Sequence, residues 1–270
     1  MIPAAFEYRR ASSADEAVSL LAEHGDEAKL LAGGHSLLPL MKLRLAVPSL
    51  LVDLRRVPGL AGITRENGSY RIGAMTRHDA VASEPGLGLA ARAAGTIADQ
   101  QVRNRGTLGG SLAHGDPASD MPAILLAAEG SVHVRGASGE RDIAAADLFQ
   151  DYLTTALAPD EIVTEVTMPA MDGYGFGYQK FNRRTEDWAM VAVGAWVKRG
   201  ADGSCEDVRV GLTHMGSVPL RATATEDALR GGALDADAIA AAAELAAEGT
   251  EPPADLNASS DYKRHLARVH

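Results

Sequence analysis

RGTLGGSLAHGDPASDMPAILLA, residues 105–127, is the stretch on which the reading of this chain turns. Its opening sets Gly106, Gly109 and Gly110 beside the hydroxyls of Thr107 and Ser111. Glycine lets the main chain approach a ligand closely, and successive backbone N–H groups in such a turn converge on one point, which suits a phosphate. A second segment, AGGHSLLPLMKLR at 32–44, has the same character: a short apolar strand runs into Gly33-Gly34, with His35 and Ser36 following. One glycine pair by itself reads as a tight turn. Two such turns, 76 positions apart from Gly33 to Gly109, read as backbone nests that grip two linked phosphates from opposite sides.

The rest of the composition narrows the field. A chain of 270 residues is long enough for roughly two domains. Apolar residues are 46% and charged residues 23%, ordinary values for a globular protein. Acidic residues number 36 against 26 basic ones, a net charge of −10 that provides no general footprint for nucleic acid or anionic lipid. The single cysteine, Cys205, forms no internal disulfide and cannot hold a metal cluster alone, and the eight histidines show no ligand spacing. No run approaches the ~18 apolar residues of a membrane span, and a cytoplasmic location is expected.

Along the chain, Ser13 caps a helix over 13–23, and Lys29–Ala32 and Leu50–Asp53 read as strands around a short helix or turn at 37–45. Asn67-Gly68 marks a hairpin within 60–75. Thr76 opens a helical stretch, 87–102 reads as one further helix, and strand-turn-strand patterning spans 131–169. Gly86–Ala91 fits the loose G-x-G-x-x-A dinucleotide fingerprint, but Ala82–Pro85 before it is no buried strand, so the match is discounted. Beyond residue 174 the expectation is three strands (178–181, 189–198, 207–213), then helices over 225–230 and 235–248, a Pro252-Pro253 linker and a helix from Ser259. The domains expected are 1–170, with subdomains of about 1–55 and 56–170, and 171–270.

The segments at 32–44 and 105–127, with YQKFNRRTEDWAMVAVGA at 178–195, resemble the FAD-binding medium subunit of the molybdenum hydroxylases, a family that includes carbon monoxide and xanthine dehydrogenases. The likeness covers nearly the whole chain in order. It implies an α+β fold: a two-part FAD-binding domain of the PCMH type, then a smaller C-terminal domain with a three-stranded sheet and helices. It implies that Ala32, Gly33, Gly34, His35, Ser36 and Leu37, together with Thr107, Leu108, Gly109, Gly110 and Ser111, hold the FAD pyrophosphate. Ile97 would pack beside the cofactor, and Asp120 would meet a polar part of it, toward the adenosine. Ile162 and Val163 would add main-chain and apolar contacts, Lys180 would lie near the flavin ring, and Trp188 would stand where some members place a tyrosine against the isoalloxazine.

The residues leave other readings open. Asp120 ahead of Met121-Pro122 could simply cap a helix, Lys180 could be a strand-surface charge, and Trp188 could be core. His35 and His114 read as turn donors, and Cys205 as a thiol in a turn with no redox task. No catalytic residue and no metal ligand is expected. The resemblance implies an iron–sulfur small subunit and a molybdenum-cofactor large subunit as partners, with the Ala/Gly-rich stretch 86–115 as the candidate interface. A stand-alone FAD oxidoreductase and a flavin-free scaffold relic of the same fold are the alternatives.

Overall fold

The computed structural model describes residues 2–270; Met1, where the first expected domain begins, lies outside them. Three sheets of three or more strands follow one another along the described residues. β1 (Glu7–Arg10), β2 (Ala28–Leu31) and β3 (Leu50–Asp53) form a parallel sheet of order β1-β3-β2. Parallel strands need a crossover, and α1 (Ala14–His24) and α2 (Leu37–Lys42) supply it. Ser13 caps α1 as expected, its side chain accepting from the Glu16 amide.

β4 (Ile63–Glu66) and β5 (Ser69–Gly73) form the hairpin, with Asn67 and Gly68 both at positive φ, +50° and +76°. Such a pair of angles matches the right-handed strand twist, which is why Asn-Gly is favoured there. α3 (His78–Ala82) starts two residues later than expected, because the Thr76 hydroxyl is bonded to the backbone of Gly62. The helix expected over 87–102 is broken in two, α4 (Leu89–Ala94) and α5 (Gln100–Arg103). Ala98 between them takes φ +41°, and Asp99 caps α5 by accepting from the Val102 amide. A local side-chain cap outcompetes continuation of the apolar stripe at that point. The break also carries Ile97 to the edge of the cavity described below.

α6 (Leu108–His114) and α7 (Asp120–Ala127) come next, then β6 (Ser131–Gly136), β7 (Gly139–Ala144), α8 (Ala145–Leu148) and a small hairpin of β8 (Phe149–Asp151) and β9 (Thr154–Thr155). β10 (Ile162–Pro169) closes an antiparallel sheet of order β4-β5-β10-β6-β7. The Ala/Gly-rich stretch is core rather than surface in α4, where Leu89, Ala90, Ala91, Ala93 and Ala94 are all buried. Small side chains there allow close helix packing, so that part of 86–115 offers no face to a partner. The fingerprint-like Gly86–Ala91 lies in a 3-10 turn and the start of α4, as its lack of a preceding strand implied.

The C-terminal sheet has four strands, not three: β11 (Tyr174–Phe181), β12 (Val191–Arg199), β13 (Cys205–Thr213) and the two-residue β14 (Leu220–Arg221). β14 is too short to show period-2 alternation, which is the signal for a strand in sequence. Cys205 is the buried first residue of β13 rather than a turn residue. α9 (Thr223–Leu229), α10 (Ala236–Ala243) and α11 (Ser260–Val269) cover this sheet, with α10 ending at the close of its alanine run and short of the expected 235–248. Glu226 of α9 is buried with its carboxylate accepting from the Val210 amide and from Arg221, so a charge under the sheet is fully paired.

α7 joins the sheets. Its residues Met121, Ala123, Ile124, Leu125 and Ala127 are buried, and it packs against β12, β13 and α4. Such a helix is apolar all round because it has no solvent face. Gly211 of β13 is the point of closest approach: a Cβ there would lie 2.4 Å from the carbonyl oxygen of Ala123. Gly211→Ala is expected to destabilise the protein by about 1–3 kcal/mol, the usual cost of overpacking. Urea unfolding measures it, and wild-type stability would contradict this packing.

Candidate functional site

The first glycine loop leaves the end of β2, and the second precedes α6; they meet back to back. A Cβ on Gly33 would sit 2.4 Å from the Arg105 carbonyl oxygen and 2.7 Å from the Gly106 Cα. Both loops line one cavity of about 490 Å3, within the range of small-molecule sites. Residues 32–37, 107 and 109–111 are all in its wall, with Ile97, Asp120, Val163, Lys180 and Trp188. Two residues of the expected set are not. Leu108 is 1% exposed and packs into the main core, and Ile162 is 1% exposed in the core beneath the first sheet. Ile162 and Val163 alternate across β10, so only one of the pair can face the cavity.

The two loops are not equivalent. None of the amides of residues 33–36 donates to another backbone group, so four adjacent donors remain for a ligand. In the second loop the donors after Thr107 are consumed: Leu108 N–H bonds Thr76 O at 2.9 Å, Gly109 N–H bonds Ala74 O at 2.8 Å, and Ser111 N–H bonds Thr107 O at 3.0 Å. Gly110 N–H bonds the Thr107 hydroxyl at 3.3 Å, with Thr107 as the cap of α6. The expectation of two matching backbone nests is therefore corrected. The second loop presents mainly hydroxyls, Thr107 Oγ1 and a Ser111–Ser119 pair 2.6 Å apart, and keeps only the Thr107 amide unbonded. Gly109 also has a different reason to be glycine, since its missing Cβ points at Ala74, 2.5 Å from that residue's own Cβ, and not at an incoming anion.

At the far side of the cavity Lys180 of β11 and Asp120 of α7 form a pair at 2.9 Å, their side chains 5% and 3% exposed. Asp120 also accepts from Tyr178 Oη at 2.5 Å, and Lys180 donates to the Thr96 carbonyl at 3.3 Å. Burial, then the Asp120 carboxylate, holds the Tyr178 phenol well above its usual pKa, so it stays a donor. Asp120 is not a helix cap; Ser119 holds that position in α7. Nor is Lys180 a surface charge, since its cation is matched by Asp120. Trp188 is 55% exposed at the mouth, which excludes the core reading.

His78 is a cavity residue that the sequence motifs do not mark. It is buried in the wall beside Gly106, and burial, with His35 second, pushes its pKa down to about 4, so the ring is neutral at pH 7. A lone histidine at the start of a short helix carries no sequence signal of such a role.

Residues 4–171 match the family described as the FAD binding domain in molybdopterin dehydrogenase, and residues 176–270 match the CO dehydrogenase flavoprotein C-terminal domain. The chain belongs to the FAD-binding medium chains of the molybdenum hydroxylases. Among members of that family it is 43% identical to the carbon monoxide dehydrogenase medium chain of Hydrogenophaga pseudoflava, over 99% of this chain and 94% of that one. It is 38% identical to the 6-hydroxypseudooxynicotine dehydrogenase complex subunit alpha of Paenarthrobacter nicotinovorans, over 100% and 93%. A structure of Hydrogenophaga pseudoflava carbon monoxide dehydrogenase lacking the Mo-pyranopterin moiety superposes with a TM-score of 0.96 at 44% identity, covering 100% of this chain and 95% of that one. Quinoline 2-oxidoreductase from Pseudomonas putida 86 gives 0.94 at 34% identity, with coverage of 100% and 95%.

Membership makes this medium chain an oxidoreductase subunit whose cofactor is FAD. The residues present fit that group. Four residues with unpaired amides line a cavity that also bears a buried, charge-balanced polar cluster, as an elongated ligand with an anionic middle requires. Lys180→Met is expected to leave Asp120 buried and unmatched and to cost about 3 kcal/mol, while the Asp120→Asn/Lys180→Met double variant recovers most of it. Urea unfolding of Lys180→Met, Asp120→Asn and the double variant checks this; an additive double variant would deny the pair its coupling.

Proposed function

We propose that this chain is the flavoprotein subunit of a multi-subunit molybdenum hydroxylase, receiving electrons from an iron–sulfur subunit and handing them to an external acceptor. The observation that carries the reading is the meeting of the two loops at Gly33 and Gly106 around one cavity, with the amides of 33–36 unspent. Bound FAD would supply the redox chemistry, accepting electrons one at a time and releasing them singly or in pairs.

The remaining work is done by the chain itself. The amides of residues 33–36 bind the diphosphate, with the Thr107 and Ser111 hydroxyls on its other flank. Val163 and Ile97 supply apolar wall. The Lys180–Asp120–Tyr178 cluster holds a donor-rich surface at constant net charge, so it orients a polar group without fixing an uncompensated ion there. Trp188 at the mouth shields that end from water.

The sequence holds a single cysteine, too few for an iron–sulfur cluster, which supports a reading in which the electron donor is a separate subunit. An iron–sulfur small subunit and a molybdenum-cofactor large subunit are the partners this reading requires. Apolar side chains exposed at Leu43, Leu45 and Val47, beside Ile2 whose carbonyl accepts from Arg44 Nη2 at 3.0 Å, support a protein partner on the surface beyond α2.

Protein isolated from its natural host is expected to be yellow, to release FAD on denaturation, and to co-purify with chains bearing iron–sulfur and molybdenum centres. A colourless chain would favour the scaffold relic. A yellow chain that oxidises a substrate with no companions would favour the stand-alone enzyme. Gly33→Ala, which drives the two loops apart, is expected to lose FAD, as read by absorbance per mole of chain.

A further inference from the structure

His78 is 5% exposed, lines the cavity, and is used by nothing above. Its Nδ1 is the one buried side-chain polar atom without a hydrogen-bond partner among the described residues. Orphaned buried N–H groups are rarer in proteins than under-satisfied acceptors, so the bare lone pair falls on Nδ1 and the proton of the neutral ring on Nε2. Nδ1 is also the covered nitrogen, which leaves the Nε2 edge for the cavity. That edge lies against Gly106: a Cβ there would be 2.8 Å from Cδ2 and 3.3 Å from Nε2 of His78. Gly106 is the residue whose Cα meets Gly33. The imidazole N–H therefore stands where the two loops join, on the side where the amides of residues 108–111 in the second loop are already bonded.

The charged groups around it do not take this donor. On its own helix Asp79 is engaged by Gln100, and Arg103 of α5 is turned to the carbonyls of Ile97 and Ala98. Across the cavity Asp120 is paired with Lys180. Arg77 precedes it in sequence and Arg105 precedes the Gly106 it lies against, Lys29, His114, Glu186 and Asp187 line the same cavity, and His35 on the first loop is the neighbour whose charge reaches it.

We propose that His78 is a cofactor-binding residue, its neutral Nε2–H donating a hydrogen bond to an oxygen of the FAD diphosphate. The inference rests on the reading of this cavity as an FAD site. It adds a side-chain donor to a flank where the amides of residues 108–111 are already spent. A buried polar atom kept without a partner weakens the empty protein, and a ligand contact made by the other end of the same ring is a reason for it to be there.

Two variants separate binding from folding. His78→Gln keeps a neutral donor, and His78→Leu removes both nitrogens. With the complex stripped of FAD and titrated with FAD by flavin fluorescence at pH 7.5, His78→Leu is expected to bind about tenfold or more weakly and His78→Gln within about threefold of wild type, the span of one hydrogen bond to a charged group. The FAD-free melting temperature of His78→Leu should equal or exceed that of wild type. The phosphorus NMR signals of bound FAD should move between wild type and either variant. Undiminished FAD affinity in His78→Leu would overturn the proposal, as would unmoved phosphorus signals. A loss of affinity matched by a lower melting temperature of the FAD-free protein would also overturn it, because the role would then be structural. Wild-type protein that takes up no FAD at all would instead defeat the reading of the cavity itself.

Discussion

Gly33 has no room for a side chain because the backbone of Arg105 and Gly106 occupies the place where its Cβ would be. That contact turns the end of a strand in the first, parallel sheet and the start of a helix in the second region into two walls of one cavity. Interiors are close-packed, and a single methyl group forced between two backbones has to be accommodated by moving one of them. The free amides of 33–36, the hydroxyls at 107 and 111, and His78 all take their places from this approach. If the loops separated, each would be an ordinary turn.

The two loops look alike in sequence and behave differently. The first ends a strand and leaves its N–H groups unspent. The second runs into α6 against the β5 end, and the carbonyls of Thr76 and Ala74 take the amides of Leu108 and Gly109. A main-chain donor serves one strong partner, so the same glycine-rich composition yields an anion-facing turn in one place and a packing element in the other. The cavity is therefore asymmetric: main-chain donors on one flank, hydroxyl groups and an imidazole on the other.

A second asymmetry concerns charge. Lys180, on β11 of the C-terminal sheet, and Asp120, on α7, neutralise one another in a buried pair that also engages Tyr178. The pair ties the C-terminal sheet to the helix that carries one edge of the cavity. Removing a partner from such a pair costs more than the intact pair contributes, because the remaining charge is left in a poor solvent. Fold and site thus share residues, and the polar wall is held in place by the packing between α7 and the sheet.

Much was legible in the residues themselves. The Asn67-Gly68 turn, the Ser13 cap and the strand that feeds Gly33 follow from backbone preferences that act over a few residues. The segments at 32–44 and 105–127 carry the family likeness, and with it the cofactor, in a pattern of glycines and hydroxyls that is local. Other features needed partners distant in sequence. The break between α4 and α5, the two-residue strand β14 and the burial of Leu108 and Ile162 are set by what packs against them. The pairing of Asp120 with Lys180 and the covered nitrogen of His78 are likewise settled by chain segments tens of residues away. Local sequence determines turns, caps and the glycine loops because their energetics are local. Which amides stay free, which charges are matched and which ring faces the cavity are long-range desolvation and packing questions, and only the tertiary structure decides them.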